Sequence, residues 1–171
     1  MTQRSLPFLY HAPFALSAFL SLSISRFALS LLMLFVLAAP ALAAPFEFSA
    51  TDVNGKTHSL SQERGNWVVI NVWATWCPPC RKELPELSAF ARAHAKDHIK
   101  IWGMSVDKEK SPSELALYAE EHDIGYPIFK TDPRALAIFG STPGIPTTFL
   151  INPDGELVAR HVGGITGAQL M

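Results

Sequence analysis

"NVWATWCPPCRKELPEL", residues 71–87, holds both cysteines of the chain, Cys77 and Cys80. Before it runs "NWVVINVW" (66–73), continuously apolar around its asparagines, as expected of a central strand buried on both faces. After it, Leu84, Leu87 and Ala91 recur at intervals of three and four, which predicts a helix from Cys80 to His94. A C-x-x-C placed between a strand and a helix reads as a redox pair. A structural disulfide is the plainer reading. It is a poor staple at this spacing, because it closes almost no loop and removes little entropy from the unfolded chain.

The placement itself favours redox chemistry. Cys77 falls where the strand gives way to the first turn of the helix, where unpaired backbone N–H groups and the positive helix end favour a thiolate. The thiolate is the attacking form in disulfide exchange. Cys80 lies about one turn on, on the same side, and can reach back to resolve a mixed disulfide. Pro78 and Pro79 carry no N–H, stiffen the loop, and remove two possible donors to the Cys77 sulfur, which predicts a less oxidising couple. A zinc site needs two more ligands. His58, His94, His98, His122 and His161 supply no second motif, and His94 and His98 read as solvated positions near the helix end. No metal ligand is therefore assigned, while transient copper or haem-related handling stays open. Peroxide reduction of the peroxiredoxin type calls for P-x-x-x-T-x-x-C; Ile70 and Ala74 occupy the Pro and Thr positions.

Working outward, "FEFSATDVNGKTHSL" (46–60) reads as two short strands around Asn54-Gly55. "IKIWGMSVD" (99–107) reads as a second central strand. Ser111-Pro112-Ser113-Glu114 opens a helix to about Glu121, with a capping box and a proline in the first turn. Asp132-Pro133 starts a short helix to Phe139, "TTFLI" (147–151) is a strand, "NPDG" (152–155) a turn, and "ELVARHVG" (156–163) the hairpin partner. The order is hairpin, strand, helix, strand, helix, short helix, strand, strand. It predicts an α/β fold with a mixed sheet and helices on its faces.

The first 44 of the 171 residues stand apart in composition. They contain Arg4 and Arg26 and no acid, leaving 12 basic and 15 acidic residues in 45–171. That balance, without a basic stripe, offers no footprint for nucleic acid. "FALSLLMLFVLAA" (27–39) follows Arg26 and precedes Ala41-Leu42-Ala43, the pattern of a secretory signal with its cleavage box. An uncleaved anchor is the alternative, since Phe27 to Ala44 reaches the lower edge of a membrane-spanning length. Either places the domain outside the cytoplasm. Residues 5–25 are uncharged but broken by Pro7, His11 and Pro13, and read as an over-long leader or a start assigned too far upstream. The division is therefore 1–44, signal peptide or N-terminal anchor, and 45–171, the folded domain.

At "WATWCPPC" the sequence resembles the thioredoxin superfamily, as a redoxin or AhpC/TSA-like domain. "DVNGKTHSLSQERGNWVVINVWATWCPPCRKELPEL", "GIPTTFLINPDGELVARHVGG" and the helix-bearing segment between them narrow the resemblance to exported TlpA/ResA-like thiol-disulfide oxidoreductases, close to those of cytochrome c maturation. It covers about 46–167 and implies a thioredoxin-like fold with an N-terminal hairpin and a TlpA-type central insert. It implies that Cys77 is an exposed nucleophile and Cys80 the buried resolving thiol. Pro146 in "GIPT" matches a cis-proline facing the pair, where Ile145 and Thr147 offer backbone to an extended client; an ordinary turn proline is the bland alternative. Pro85 matches a proline that kinks the active-site helix. Where classical thioredoxins carry a buried Asp six residues before the first cysteine, this chain has Asn71, which takes no proton. Glu83 matches a Glu near the pair in ResA-like proteins and reads as a proton relay to Cys80, or more plainly as an acid complementing the helix end. Trp76 is expected to shield the pair and line the docking surface, and Trp73 to pack against the helix.

Two departures stand out. "FGSTPGIP" (139–146) is one residue longer than the usual approach to the cis-proline, with Ser141 at a commonly apolar place. The chain stops at "TGAQLM", where relatives continue into a final helix, so part of a sheet face is expected to be exposed.

The resemblance implies an exported enzyme reducing disulfides of envelope proteins such as apocytochrome c. No cofactor is expected. Its partners would be disulfide-bearing clients and a membrane electron donor, at the periplasm or the outer face of the cytoplasmic membrane. A tethered module that holds a client or metal without turnover, and a DsbA-like oxidase, are the competing readings. The oxidase is disfavoured by the lack of a long inserted helical domain.

Overall fold

The computed structural model describes residues 45–171; the leader and anchor readings for 1–44 lie outside the described residues. The strand predicted over 66–73 is β3, Trp67–Trp73, at the centre of a five-stranded sheet. Two short strands precede it, β1 (Ser49–Thr51) and β2 (Thr57–Ser59), paired antiparallel around the Asn54-Gly55 turn as expected. Asp52 organises that turn. Its Oδ1 accepts the backbone N–H groups of Asn54 and Lys56, each at 2.9 Å, and its Oδ2 meets His58 Nε2 at 2.8 Å.

After β3 come α1 (Pro78–Ala93), β4 (Ile99–Ser105), α2 (Pro112–Glu121), β5 (Ile128–Lys130), a 3₁₀ turn at Ala135–Phe139, β6 (Thr147–Ile151), β7 (Leu157–Val162) and a last 3₁₀ turn at Gly167–Gln169. The sheet order is β5-β4-β3-β6-β7. β3, β4 and β5 run parallel, β6 is antiparallel to β3, and β7 is antiparallel to β6 with a register irregularity at Leu150/Ile151. The α2 capping box is present as read from the sequence: Ser111 caps Glu114 N–H, and Glu114 returns to Ser111 N–H at 2.8 Å. The strand β5 is an element the sequence reading lacks. It has only three residues, too few to show a period.

Alternation along β3 builds two cores. Val68, Ile70 and Val72 point to one face, with Trp102, Met104, Leu136, Phe139 and Phe149. Val69 and Trp73 point to the other, with Leu84, Leu87 and Phe90 of α1 and Leu115 of α2. Both α-helices thus cover one face; the N-terminal segment and the first 3₁₀ turn cover the second, where Phe46 and Phe48 pack on Phe139 with ring centroids 5.2 and 5.1 Å apart. Leu157, Val158 and Val162 of β7 are exposed apolar side chains.

Period two also puts Asn71 on the α1 side, between Val69 and Trp73. Its register partner on β4 is Gly103. A Cβ at Gly103 would lie 2.5 Å from Ile128 Cδ1 and 3.0 Å from both Trp73 Nε1 and Tyr126 Cε2. The missing side chain leaves room for the Trp73 indole beneath the helices. Gly103→Ala is therefore expected to destabilise by about 1–3 kcal/mol through overpacking, read as a lower urea midpoint at unchanged slope.

Candidate active site

The disulfide Cys77–Cys80 is formed, with the two Cα atoms 5.3 Å apart. Cys77 is the N-cap of α1, which begins at Pro78, two residues before the start at Cys80 predicted from the sequence. With no N–H on Pro78 or Pro79, the first available helix donor is Cys80 N–H, and it donates to Cys77 Sγ at 3.3 Å. The sulfur itself does the capping that a Ser or Asp side chain does elsewhere. On its other side, Cys77 Sγ lies 3.8 Å from the carbonyl oxygen of Ile145. The Ile145–Pro146 peptide is cis, as the resemblance implies.

Burial differs from expectation at Cys77, which is 3% exposed beside Cys80 at 0%. The expected exposed nucleophile is corrected for this oxidised form: bonded to Cys80 and facing the Ile145 carbonyl, the sulfur has little open surface left. Trp76, at 65% exposed, is the large apolar surface beside the pair. Trp73 is fully buried and lies 5.7 Å from the Tyr118 ring of α2. Ile145 is half-buried and Pro146 buried. The Thr147 side chain is turned inward, its hydroxyl donating to Gly144 O at 2.6 Å, so it shapes the loop and presents no side chain outward.

Glu83 is 4% exposed and lies in the second turn of α1. Oε1 accepts from Asn71 Nδ2 at 2.8 Å, and Oε2 from the backbone N–H of Ile165 at 2.8 Å. Burial raises its pKa above the usual carboxylate value; the Ile165 N–H, the Asn71 amide and the nearby His161 pull it down without cancelling that effect. Glu83 also borders a solvent-open pocket of about 210 Å³, with Pro79, Lys82, Glu86, Gly164, Ile165 and Thr166.

One contributor escaped the sequence reading. Asp107, just past β4 and 3% exposed, accepts Thr75 N–H at 3.0 Å, the Thr75 hydroxyl at 2.7 Å and the Ser105 hydroxyl at 2.7 Å. It ties down the loop two residues before Cys77. The contact follows from the register: parallel β3 and β4 pair Trp73 with Ser105, and two residues further on the same offset sets Thr75 beside Asp107. Among the described residues, no group of three or more His, Cys, Asp or Glu side chains is gathered to hold a metal ion. His94 instead contacts Asp97 at 2.8 Å, and His98 contacts Asn66 at 3.3 Å.

A family model described as the AhpC/TSA family matches residues 40–160. The chain belongs to the AhpC/TSA family. Within it, the chain is 32% identical over 124 residues to the thiol-disulfide oxidoreductase ResA of Bacillus subtilis, covering 72% of this chain and 68% of that protein. It is 30% identical over 129 residues to the sporulation thiol-disulfide oxidoreductase A of the same organism, covering 75% and 78%. A thioredoxin-family thiol:disulfide interchange protein from Chlorobium tepidum superposes with a TM-score of 0.67 at 30% identity, over 77% of this chain and 94% of that one. StoA from B. subtilis superposes with 0.63 at 29%, over 75% and 96%. The fold is thioredoxin-like, and the protein is a ResA-like thiol-disulfide oxidoreductase.

Asp107→Ala leaves Thr75 N–H and two hydroxyls without their acceptor. The expected loss is about 1–3 kcal/mol of stability in urea unfolding, with faster amide hydrogen exchange at Thr75.

Proposed function

We propose that the chain works outside the cytoplasm as a reductant of protein disulfides, with envelope clients such as apocytochrome c, and that a membrane donor restores its dithiol. The supporting observation is the environment of Cys77: its sulfur accepts a helix N–H and sits against the Ile145 carbonyl beside exposed Trp76. A helix donor favours the thiolate. The exported setting is supported by the Arg26 to Ala43 segment of the sequence, read as a signal peptide or an anchor. Among structural relatives, a Streptococcus pneumoniae protein at 26% identity is described as an exposed lipoprotein thioredoxin.

In the reduced enzyme, Cys77 thiolate attacks a client disulfide. A Cys77–client bond forms and one client thiolate leaves. The client segment lies along the Ile145–Pro146 loop and against Trp76. Cys80 then loses its proton to Glu83 and attacks Cys77 Sγ, which expels the second client thiolate and forms Cys77–Cys80. Two electrons have passed to the client, and the Glu83 proton leaves through the adjoining pocket. Re-reduction by a dithiol of the donor runs the same steps backwards.

Cys77→Ser is expected to abolish exchange, whereas a binding module without turnover would keep its client and lose nothing measurable. The equilibrium potential of the pair separates the two directions: a value near about −270 mV marks a reductant, and one near about −120 mV marks an oxidase and defeats this reading. Glu83 adds a pH signature. Its folded pKa stands above the reference 4.5, so the stability it contributes is complete below that pH and is lost as pH rises through the folded pKa. Glu83→Gln is expected to flatten the fall in stability above pH 4.5 and to slow exchange.

A further inference from the structure

Asn71 is the polar side chain in the middle of the α1 face of β3, and it is fully buried. Its Nδ2 donates to Glu83 Oε1 at 2.8 Å and to Thr148 Oγ1, on β6, at 3.2 Å. Among the described residues its Oδ1 is buried with no donor. A buried amide oxygen left unpaired is costly, and such groups call for an explanation. Glu83, its partner, is the group that must change protonation state during exchange if the relay described above operates.

The geometry points to Asn71 as the positioning residue of Glu83, holding it in both protonation states by a half-turn of one amide. As found, the amide offers Nδ2 to the ionised carboxylate. The protonated acid has an O–H to donate and needs an acceptor instead. A half-turn about the last side-chain bond puts Oδ1 where Nδ2 now stands, since the two ends are nearly the same size and shape. There Oδ1 accepts from the Glu83 O–H and from the Thr148 hydroxyl, which is donor or acceptor as required. Each orientation makes two hydrogen bonds and leaves one amide end unpaired. Both protonation states are hydrogen-bonded, the ionised one by the stronger, charge-assisted bond, and the carboxyl stays in one place as its proton comes and goes.

Asp at position 71 could not do this, because two buried carboxylates repel and share one proton. Leu would offer nothing to either state. Of the other groups facing Glu83, Ile165 N–H only donates; Lys82 and Glu86 of α1 line the pocket, His161 comes from β7, Cys80 lies one turn back on α1, and the Tyr126 ring is buried before β5, none of these five being hydrogen-bonded to the carboxyl among the described residues.

The inference rests on the proton relay through Glu83, and the test separates the two. In the oxidised protein, the Glu83 carboxyl is titrated by carbon-13 NMR in the parent, Asn71→Leu and Asn71→Asp, and the pH profile of disulfide exchange is recorded for these and for Glu83→Gln with and without Asn71→Leu. Asn71→Leu should raise the Glu83 midpoint by about one pH unit, the worth of a hydrogen bond to a charge. The exchange profile should move the same way. Asn71→Asp should raise the upper midpoint of the pair further and serves if the Leu variant does not fold. With Gln at 83, Asn71→Leu should leave the exchange profile unmoved. A Glu83 midpoint unchanged in a folded Asn71 variant overturns the positioning role, as does a profile that still shifts with Gln at 83. A Glu83→Gln profile equal to the parent's overturns the relay and, with it, the switch during exchange, whatever the NMR titration shows.

Discussion

Cys77 has to cap a helix and carry a reactive sulfur with the same atom. The constraint comes from the junction: β3 ends at Trp73 and α1 begins at Pro78, so few residues turn the chain through the gap. Two prolines at the start of the helix leave Cys80 N–H as the first donor, and Cys77 Sγ takes it. Everything around the junction keeps that turn in place. Asp107 holds Thr75 from the neighbouring parallel strand, Val106 N–H meets Trp73 O at 2.9 Å, and buried Trp73 fills the space that Gly103 leaves open. Loosening any of these would move the sulfur relative to the helix N–H that it accepts.

The second dependence is on the sheet face under α1. Glu83 is three residues beyond Cys80, so the helix brings it to the same side as the pair. Burial there is what lifts its proton affinity, and the two donors that meet it come from opposite ends of the domain's chain, Asn71 on β3 and Ile165 after β7. The polar chemistry of the site is thus set inside an apolar cluster, which gives each hydrogen bond more weight than it has at a surface.

How much of this could be read beforehand follows from the range of each interaction. The central strand, the helix after Cys77, the Asn54-Gly55 turn and the Ser111 capping box are local patterns, and the structure has them where the sequence places them, to within two residues. The cis peptide before Pro146 came from resemblance, not from any local signal. The Asn71–Glu83 contact joins two positions that the sequence reading treated as alternatives, one lacking a titratable group and one supplying it. Their contact depends on how α1 rotates over β3, which a period of 3.6 does not resolve to the level of one atom. Asp107 and Thr75 lie 32 positions apart and meet only once the strand register is known. The near-complete burial of Cys77 depends on a carbonyl 68 positions away.

The irregularity at Leu150/Ile151 reaches beyond the site. It falls in the pairing of β6 with β7, the strand that closes one side of the sheet, while β5 closes the other with only three residues. A long flat border would invite a second copy to add its own strand. A bulge bends such a border out of plane, and Arg160 and His161 place polar groups along it. At the opposite border Lys130 ends the strand with a charge. Both borders of the sheet thus carry features that disfavour strand addition by a second copy, even though apolar side chains are exposed on β7 among the described residues.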